Sequence, residues 1–320
     1  MTPLKGIHHV TAITGDAQGN ADFYAGLLGL RLVKKTVNFD DPGSYHLYYG
    51  DAAGTPGTLV TFFAWPGATA GRTGVGEPVA LTFEVPEGAL SWWSERLSAA
   101  GFASPPPEKR FGVRVLGISD PDGMRVELVE SMVPRETEFW AAGGVPKQHA
   151  ITTIQGVTLA VREEERSAAL YAGELTFAEA GNERGRRRFS VGTGEGRSFV
   201  DLVMPATVAR GRMGAGTIHH VAFRTEDDAS QEQWLSQLTT LGLHVSPVMD
   251  RKYFHSIYFR ERNGVLFEIA TDGPGMAVDE PPESLGEALT LPAEYEPLRA
   301  TLERALPPIV VSPATQAANV

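Results

Sequence analysis

One tetrapeptide occurs twice in this chain, as Ile7–His8–His9–Val10 and again as Ile218–His219–His220–Val221. Each copy opens a strand-like run, GIHHVTAIT and TIHHVAFRT. A carboxylate recurs with similar regularity: RNGVLFEIA carries Glu268 four residues after Gly264, and DPDGMRVELVE carries Glu127 four residues after Gly123. Two imidazoles and one carboxylate can occupy one face of an octahedral divalent metal and leave the opposite positions open, the ligand set of non-haem Fe(II) oxygenases.

The second histidine of each pair is the better ligand. Strand side chains alternate faces. That alternation puts His219 with Val221 and Phe223, an apolar set suited to packing. His220 and His9 fall on the other face, and Thr11 accompanies His9 toward a polar cavity. His8 and His219 then read as supporting or buried hydrogen-bonded residues. A single strand histidine is most simply a packed residue. Its recurrence at equivalent places, beside a matching glutamate, is what carries the metal expectation.

The elements that must position these residues repeat as well. After GIHHVTAIT (6–14) comes a helical stretch, DAQGNADFYAGLLGL, with apolar Phe23, Leu27 and Leu30; RLVKKTVNF, YHLYYG and TLVTFFAW then read as strands. The same strand, helix, three-strand order begins again at VALTFEVP (79–86), GVTLAVR (156–162) and IHHVAFRT (218–225). A lone βαβββ unit leaves its curved sheet open, so such units pair into half-open barrels. The expected fold is α+β, with four βαβββ units forming two half-open β-barrels. Two units fall in 1–130, a Pro- and Gly-broken connector in 131–150, and two more units in 151–272. Residues 273–320 form a Pro-rich extension with a helix from about Glu294 to Arg304 and a frayed tail, SPATQAANV.

Aligned by repeat, His9, His220 and Glu268 form one equivalent set, and Ala80, Gly156 and Glu127 the complementary one. The second set has lost both imidazoles. One metal site is expected where the first and fourth units share a cavity, and an empty vestigial position between the second and third. Glu127 itself reads as a buried or edge carboxylate.

Composition narrows the function classes. The chain has 320 residues, 42% hydrophobic and 21% charged, and a formal net charge of −11, which argues against tracking a nucleic-acid backbone. With no cysteine there are no disulfides, thiolate metal sites or cysteine nucleophiles. MTPLKGIHHV lacks the apolar run of a signal peptide and no stretch approaches membrane-spanning length, so a cytoplasmic protein without membrane partners is expected. The oligomeric state stays open, a homo-oligomer included. Among weaker signals, RGRRR (184–188) reads as a solvated hairpin turn and VREEER (161–166) as a charged helix start. No P-loop, GxGxxG or GxSxG motif is found.

Tandem βαβββ units with a histidine on a first strand and a glutamate on a last strand resemble the vicinal oxygen chelate superfamily. Within it, GIHHVTAIT, TIHHVAFRT, DRKYFHSIYFRERNGVLFEIATDGPG and LGEALTLPAEYEPLRATLERALPPI are similar to the hydroquinone-type ring-cleaving dioxygenases, over about Gly6 to Pro308. The resemblance implies an Fe(II)-dependent dioxygenase that takes a small aromatic diol of the hydroquinone type and O2. It implies iron ligation by His9, His220 and Glu268, with Mn(II) or another divalent metal as an alternative occupant. It also implies supporting roles for His8, Thr11, His219 and Arg251, and for Tyr258 near the exchangeable metal positions. Many relatives have YFRSIYF where this chain has YFHSIYF; alternation turns His255 away from Tyr258, so its effect is expected on packing or the cavity rim. Two rival activities stay open on the same fold. One is a glyoxalase-like isomerase or fosfomycin-type thiol transferase, usually built from short two-unit chains. The other is a non-catalytic drug-binding protein of the bleomycin-resistance kind, which needs a cavity but no ligand triad.

Overall fold

In the computed structural model, residues 2–131, 137–206 and 209–311 are described. Part of the expected connector (132–136) and the expected frayed tail (312–320) therefore lie outside the described residues. The first repeat folds as β1 (Ile7–Thr14), α1 (Ala17–Ala21, continued by a π-helical turn Asp22–Leu27), β2 (Arg31–Asn38), β3 (Asp41–Gly50) and β4 (Leu59–Ala64). The second gives β5 (Glu77–Pro86), α2 (Ala89–Ala99), β6 (Glu108–Arg110), β7 (Val113–Ser119) and β8 (Arg125–Ser131). The third gives β9 (Thr153–Ala160), α3 (Glu164–Ala169, with a π-helical turn Leu170–Glu174), β10 (Ala178–Glu183), β11 (Arg186–Val191) and β12 (Ser198–Val203). The fourth gives β13 (Ile218–Thr225), α4 (Asp228–Thr240), β14 (Met249–Asp250), β15 (Phe254–Arg260) and β16 (Leu266–Pro274), and α5 (Arg299–Ala305) follows in the extension.

The units pair first with fourth and second with third. One eight-stranded sheet runs β14-β15-β16-β13-β1-β4-β3-β2; the other runs β10-β11-β12-β9-β5-β8-β7-β6. Each pair meets at an antiparallel seam, β1 with β13 and β5 with β9. The outer helices show why these stretches are helical. Leu90, Trp93 and Leu97 of α2, and Trp234 and Leu238 of α4, form stripes at helical spacing that are wholly buried. Asp227 caps α4, accepting from the Ser230 backbone N–H at 2.8 Å. Among the described residues no helix is long and apolar enough to cross a membrane. Three strands escaped the sequence reading: β6 (EKR), β10 (AEAGNE) and β14 (MD) have no apolar alternation and form only because a neighbouring strand offers its edge.

Both seams carry paired bulges. In β1–β13 the register steps from Ile7↔Phe223 to His9↔Ala222, and from Thr11↔His220 to Ala12↔Ile218. The unpaired extra residues are His8 and His219. The β5–β9 seam repeats the pattern, leaving Val79 and Gln155 as the extras. A bulge turns its strand locally and re-aims a side chain. Simple alternation fails at these positions.

Only part of the basic run is a solvated turn. Arg184 and Gly185, with φ of 51° and 73°, make an exposed left-handed turn between β10 and β11, and Arg187 pairs with Glu179 and Glu165 at the surface, but Arg186 and Arg188 are drawn into the sheet. Arg188 is buried and pairs with both oxygens of Asp201 at 2.7 and 2.8 Å; Arg186 reaches Thr158 and Asp201 at 2.6 and 3.1 Å. Nor is the position around Glu127 empty. Arg110 reaches the buried Glu127 at 2.7 Å and Arg125 at 3.0 Å, and Thr82 donates to it at 3.2 Å. Guanidinium groups meet the carboxylate in the sheet where both imidazoles are lost.

The extension packs on the first sheet. The wholly buried Lys34 ammonium is neutralised by Asp279, 2.7 Å away, and by Glu280. Arg31 donates to the carbonyls of Pro282 and Glu283, and Thr290 N–H to that of Lys35. Tyr295 donates to the Phe39 carbonyl at 2.9 Å. Met276 and Leu285 pack with Tyr48, Leu59 and Phe254, so the extension fills one end of this half-barrel.

Candidate metal centre

Three strands of the first sheet bring the expected ligands together. β1 supplies His9, β13 supplies His220, and β16, parallel to β13 with Glu268 beside Ala222, supplies the carboxylate. The Nε2 atoms of His9 and His220 are 3.4 Å apart. Glu268 Oε2 lies 2.8 Å from His220 Nε2 and 3.4 Å from His9 Nε2. Ligand atoms about 2.1 Å from one metal are separated by about 3.0 Å on an octahedral face and about 3.4 Å on a tetrahedron. The observed triangle spans that range. All three residues are buried, and they are the group of His and acidic side chains among the described residues that can hold a metal ion.

The partners of these residues leave the three converging atoms free. Ser256, wholly buried on β15, donates to Glu268 Oε1, while Oε2 has no hydrogen bond of good geometry. Each ligand histidine meets its bulged neighbour through the other ring nitrogen: His8 Nδ1 to His9 Nδ1 at 2.9 Å, and His219 Nδ1 to His220 Nδ1 at 2.8 Å. Burial first, then the adjacent His9, pushes the His8 imidazole well below its ordinary pKa. Burial first, then His220, pushes His219 down to about 3. Both supporting rings are therefore neutral, and a neutral ring can accept the Nδ1–H of its neighbour and leave that neighbour's Nε2 lone pair for a metal. Burial raises the Glu268 carboxyl, but the two facing imidazoles outweigh it and hold it well below the usual carboxylate range. The donor set fits a divalent cation.

A cavity of about 450 Å³ opens on this triangle. His9, His219 and His220 reach it, so His219 is at the cavity and not packed away from it as alternation suggests; its ring stands edge-on to Phe63 at 5.4 Å. Aromatic walls come from Phe39, Phe63, Trp65 and Phe254. Tyr258, cross-strand partner of Glu268, and Arg251 also line the cavity. Arg251 Nε donates to the Tyr258 hydroxyl at 3.1 Å, and its outer nitrogen lies 3.3 Å from Asp40. Burial first and the Glu268 charge second push the Tyr258 hydroxyl far above its ordinary pKa, so it stays a donor.

The remaining expected residues are placed differently. Thr11 is wholly buried and does not line the cavity; its hydroxyl is bonded to Thr61 at 2.8 Å. His255 points away from Tyr258 and meets Asp228 of α4 at 2.6 Å. Three polar residues here went unnoticed in the sequence. Ser256 had a signal, since it shares the face of Tyr258 opposite Glu268. His46 and Tyr48 on β3 had none, because only the curl of the sheet brings them to the cavity.

The family model described as the Glyoxalase/Bleomycin resistance protein/Dioxygenase superfamily matches residues 6–128 and 153–269. A protein of Bacillus subtilis (strain 168) named as ring-cleaving dioxygenase MhqO is 44% identical over 306 residues, 96% of this chain and 97% of that protein. A chlorohydroquinone/hydroquinone 1,2-dioxygenase of Sphingobium indicum is 33% identical over 320 residues, covering 96% and 98%. The crystal structure of a Bacillus subtilis protein named as a dioxygenase superposes with a TM-score of 0.93 at 43% identity, over 98% of this chain and 99% of that one.

Proposed function

Because the chain belongs to the glyoxalase/bleomycin resistance protein/dioxygenase superfamily, we propose that it is a ring-cleaving dioxygenase that uses Fe(II), held by His9, His220 and Glu268, to open hydroquinone-type aromatic diols with O2. The observation that carries this reading is the convergence of His9 Nε2, His220 Nε2 and Glu268 Oε2 at the wall of an aromatic-lined cavity. When bound, Fe(II) supplies a centre that favours ionisation of a diol hydroxyl and exchanges single electrons with O2.

The chain's own residues do the rest. His8 and His219 hold the ligand rings in one tautomer, and Ser256 holds the outer oxygen of Glu268. Phe39, Phe63, Trp65 and Phe254 take an aromatic ring out of water and orient its plane. Arg251 sets a positive charge at the cavity wall, which offsets the negative charge of an ionised diol. Tyr258, aimed by Arg251 at 3.1 Å, offers its proton toward oxygen atoms beside the triad.

The test is oxygen uptake by anaerobically Fe(II)-loaded protein on a panel of hydroquinones and catechols. The reading expects about one O2 consumed per diol, loss of the aromatic absorbance, and preference for para-diols. A flat oxygen trace across the panel, beside divalent-metal-dependent thiol addition or isomerisation, overturns it.

A further inference from the structure

One wall of the cavity carries two polar groups that the chemistry above does not use. Both are on β3, two strands from β1 in the sheet, a backbone separation of about 10 Å. The sheet curls enough to bring the Tyr48 ring within 5.9 Å of Tyr253, just ahead of β15, so β3 meets the fourth unit beside the cavity. His46 lies between the rings of Tyr48 and Phe63, with centroids 4.2 and 4.5 Å away.

His46 is held at both nitrogens. Nε2 meets Thr61 Oγ1 at 2.9 Å, which continues to Thr11, and Nδ1 meets the Tyr48 hydroxyl at 2.9 Å. Burial, reinforced by His9 and His220, pushes this imidazole well below its ordinary pKa, so the ring is neutral, with one donor and one acceptor. If Nδ1 accepts the Tyr48 proton, the Tyr48 oxygen keeps its lone pairs for a ligand. If Nδ1 donates instead, the Tyr48 proton is free. In either tautomer Tyr48 retains one hydrogen-bonding capacity, and a ligand hydroxyl can satisfy both versions.

Of the other polar groups on this side, Asn38 Oδ1 accepts from Asp40 N–H, Asp40 pairs with Arg251, and Asp41 accepts from the Ser44 hydroxyl. The aromatic walls cannot satisfy a hydroxyl, which is costly to bury unpaired. We propose that Tyr48, aimed by His46, receives the hydroxyl that a para-diol carries on the side of the ring opposite the triad, and so selects para-diols over catechols and simple phenols. This assignment rests on the dioxygenase reading and adds to it the residue that recognises the second hydroxyl. A catechol keeps its second hydroxyl beside the triad, and a phenol has none. His46 acts as a positioning residue.

Zn(II)-loaded protein, which binds without turnover, separates recognition from chemistry. Dissociation constants for hydroquinone, catechol and phenol are measured by anaerobic titration calorimetry. Wild type is expected to prefer hydroquinone to phenol about tenfold, the worth of one buried hydrogen bond. Tyr48→Phe should abolish that preference by weakening hydroquinone alone, with Zn(II) stoichiometry and phenol and catechol affinities unchanged. His46→Phe should lose most of the preference, and His46→Gln, which keeps a donor and an acceptor, should restore part of it. If Tyr48→Phe keeps the hydroquinone preference, or weakens all three ligands equally, the assignment is overturned and the dioxygenase reading stands. An unchanged preference in His46→Phe removes the positioning role. If wild-type protein binds none of the three rings, the dioxygenase reading fails and this assignment fails with it.

Discussion

Replacing His219 with Phe removes one atom pair from the proposed metal centre while keeping a ring against Phe63. With its Nε2 lone pair committed to a metal, His220 carries its proton on Nδ1, and the acceptor is His219 Nδ1 at 2.8 Å. His220 is buried, so in His219→Phe this N–H is stranded, at a cost of about 1–3 kcal/mol. The alternative tautomer, with the proton on Nε2 and no lone pair for the metal, becomes competitive. Outer partners of metal-bound histidines are worth about 10–100-fold in affinity, or about 1.4–2.7 kcal/mol, in the same range. His8 stands in the same relation to His9 at 2.9 Å, so His8→Phe should cost a similar factor. The two losses act on different ligands of one ion, and the double variant should bind about 10²–10⁴-fold more weakly if they are independent. The assay is anaerobic competition against a chromophoric chelator, with thermal unfolding of the metal-free variants to establish that each folds. If both single variants hold metal within twofold of wild type, the supporting role of the bulged histidines is wrong.

Three other changes separate chemistry from architecture. Tyr258→Phe should slow turnover about 10²-fold with metal stoichiometry intact, since it deletes one hydroxyl donor and no ligand; unchanged turnover would remove Tyr258 from the chemistry. Glu127→Gln should leave metal binding and activity alone but lower stability by about 3 kcal/mol in urea denaturation, because it leaves the partly buried Arg110 without its full counter-charge; loss of metal there would relocate the site. The buried Asp120 carboxyl, which accepts from Tyr24 at 3.0 Å, is pushed up to about 6, chiefly by burial. A raised carboxyl binds its proton more tightly when folded, so its contribution is present below about pH 4 and lost as pH rises through about 6. Two pKa units correspond to about 3 kcal/mol. Denaturation of Asp120→Asn at pH 4 and pH 7 should show correspondingly less pH dependence than wild type, and equal slopes would contradict the argument.

The candidate ligand set was legible because it is written in the repeat: two HHV copies and two glutamates at matching distances identify equivalent places without any structure. The orientation of His8 and His219 was not. Alternation assumes an unbroken ladder, and a bulge is a property of register between strands distant in sequence. His46 and Tyr48 were hidden for a similar reason, since nothing local marks a strand residue that meets the cavity only after the sheet curls. Arg186 and Arg188 looked solvated because their partner Asp201 lies on the next strand. The anchoring of the extension depends on contacts such as Lys34 with Asp279, separated by 245 positions. Periodicity carries no information about such pairs.

The most direct test of the central claim is the iron content of the chain after anaerobic loading and removal of loosely held metal, compared between wild type and His220→Ala. One Fe(II) per chain in wild type, falling to near zero in a His220→Ala protein that still folds, is the result expected of a single centre built by His9, His220 and Glu268. A His220→Ala protein that retains its full iron contradicts it.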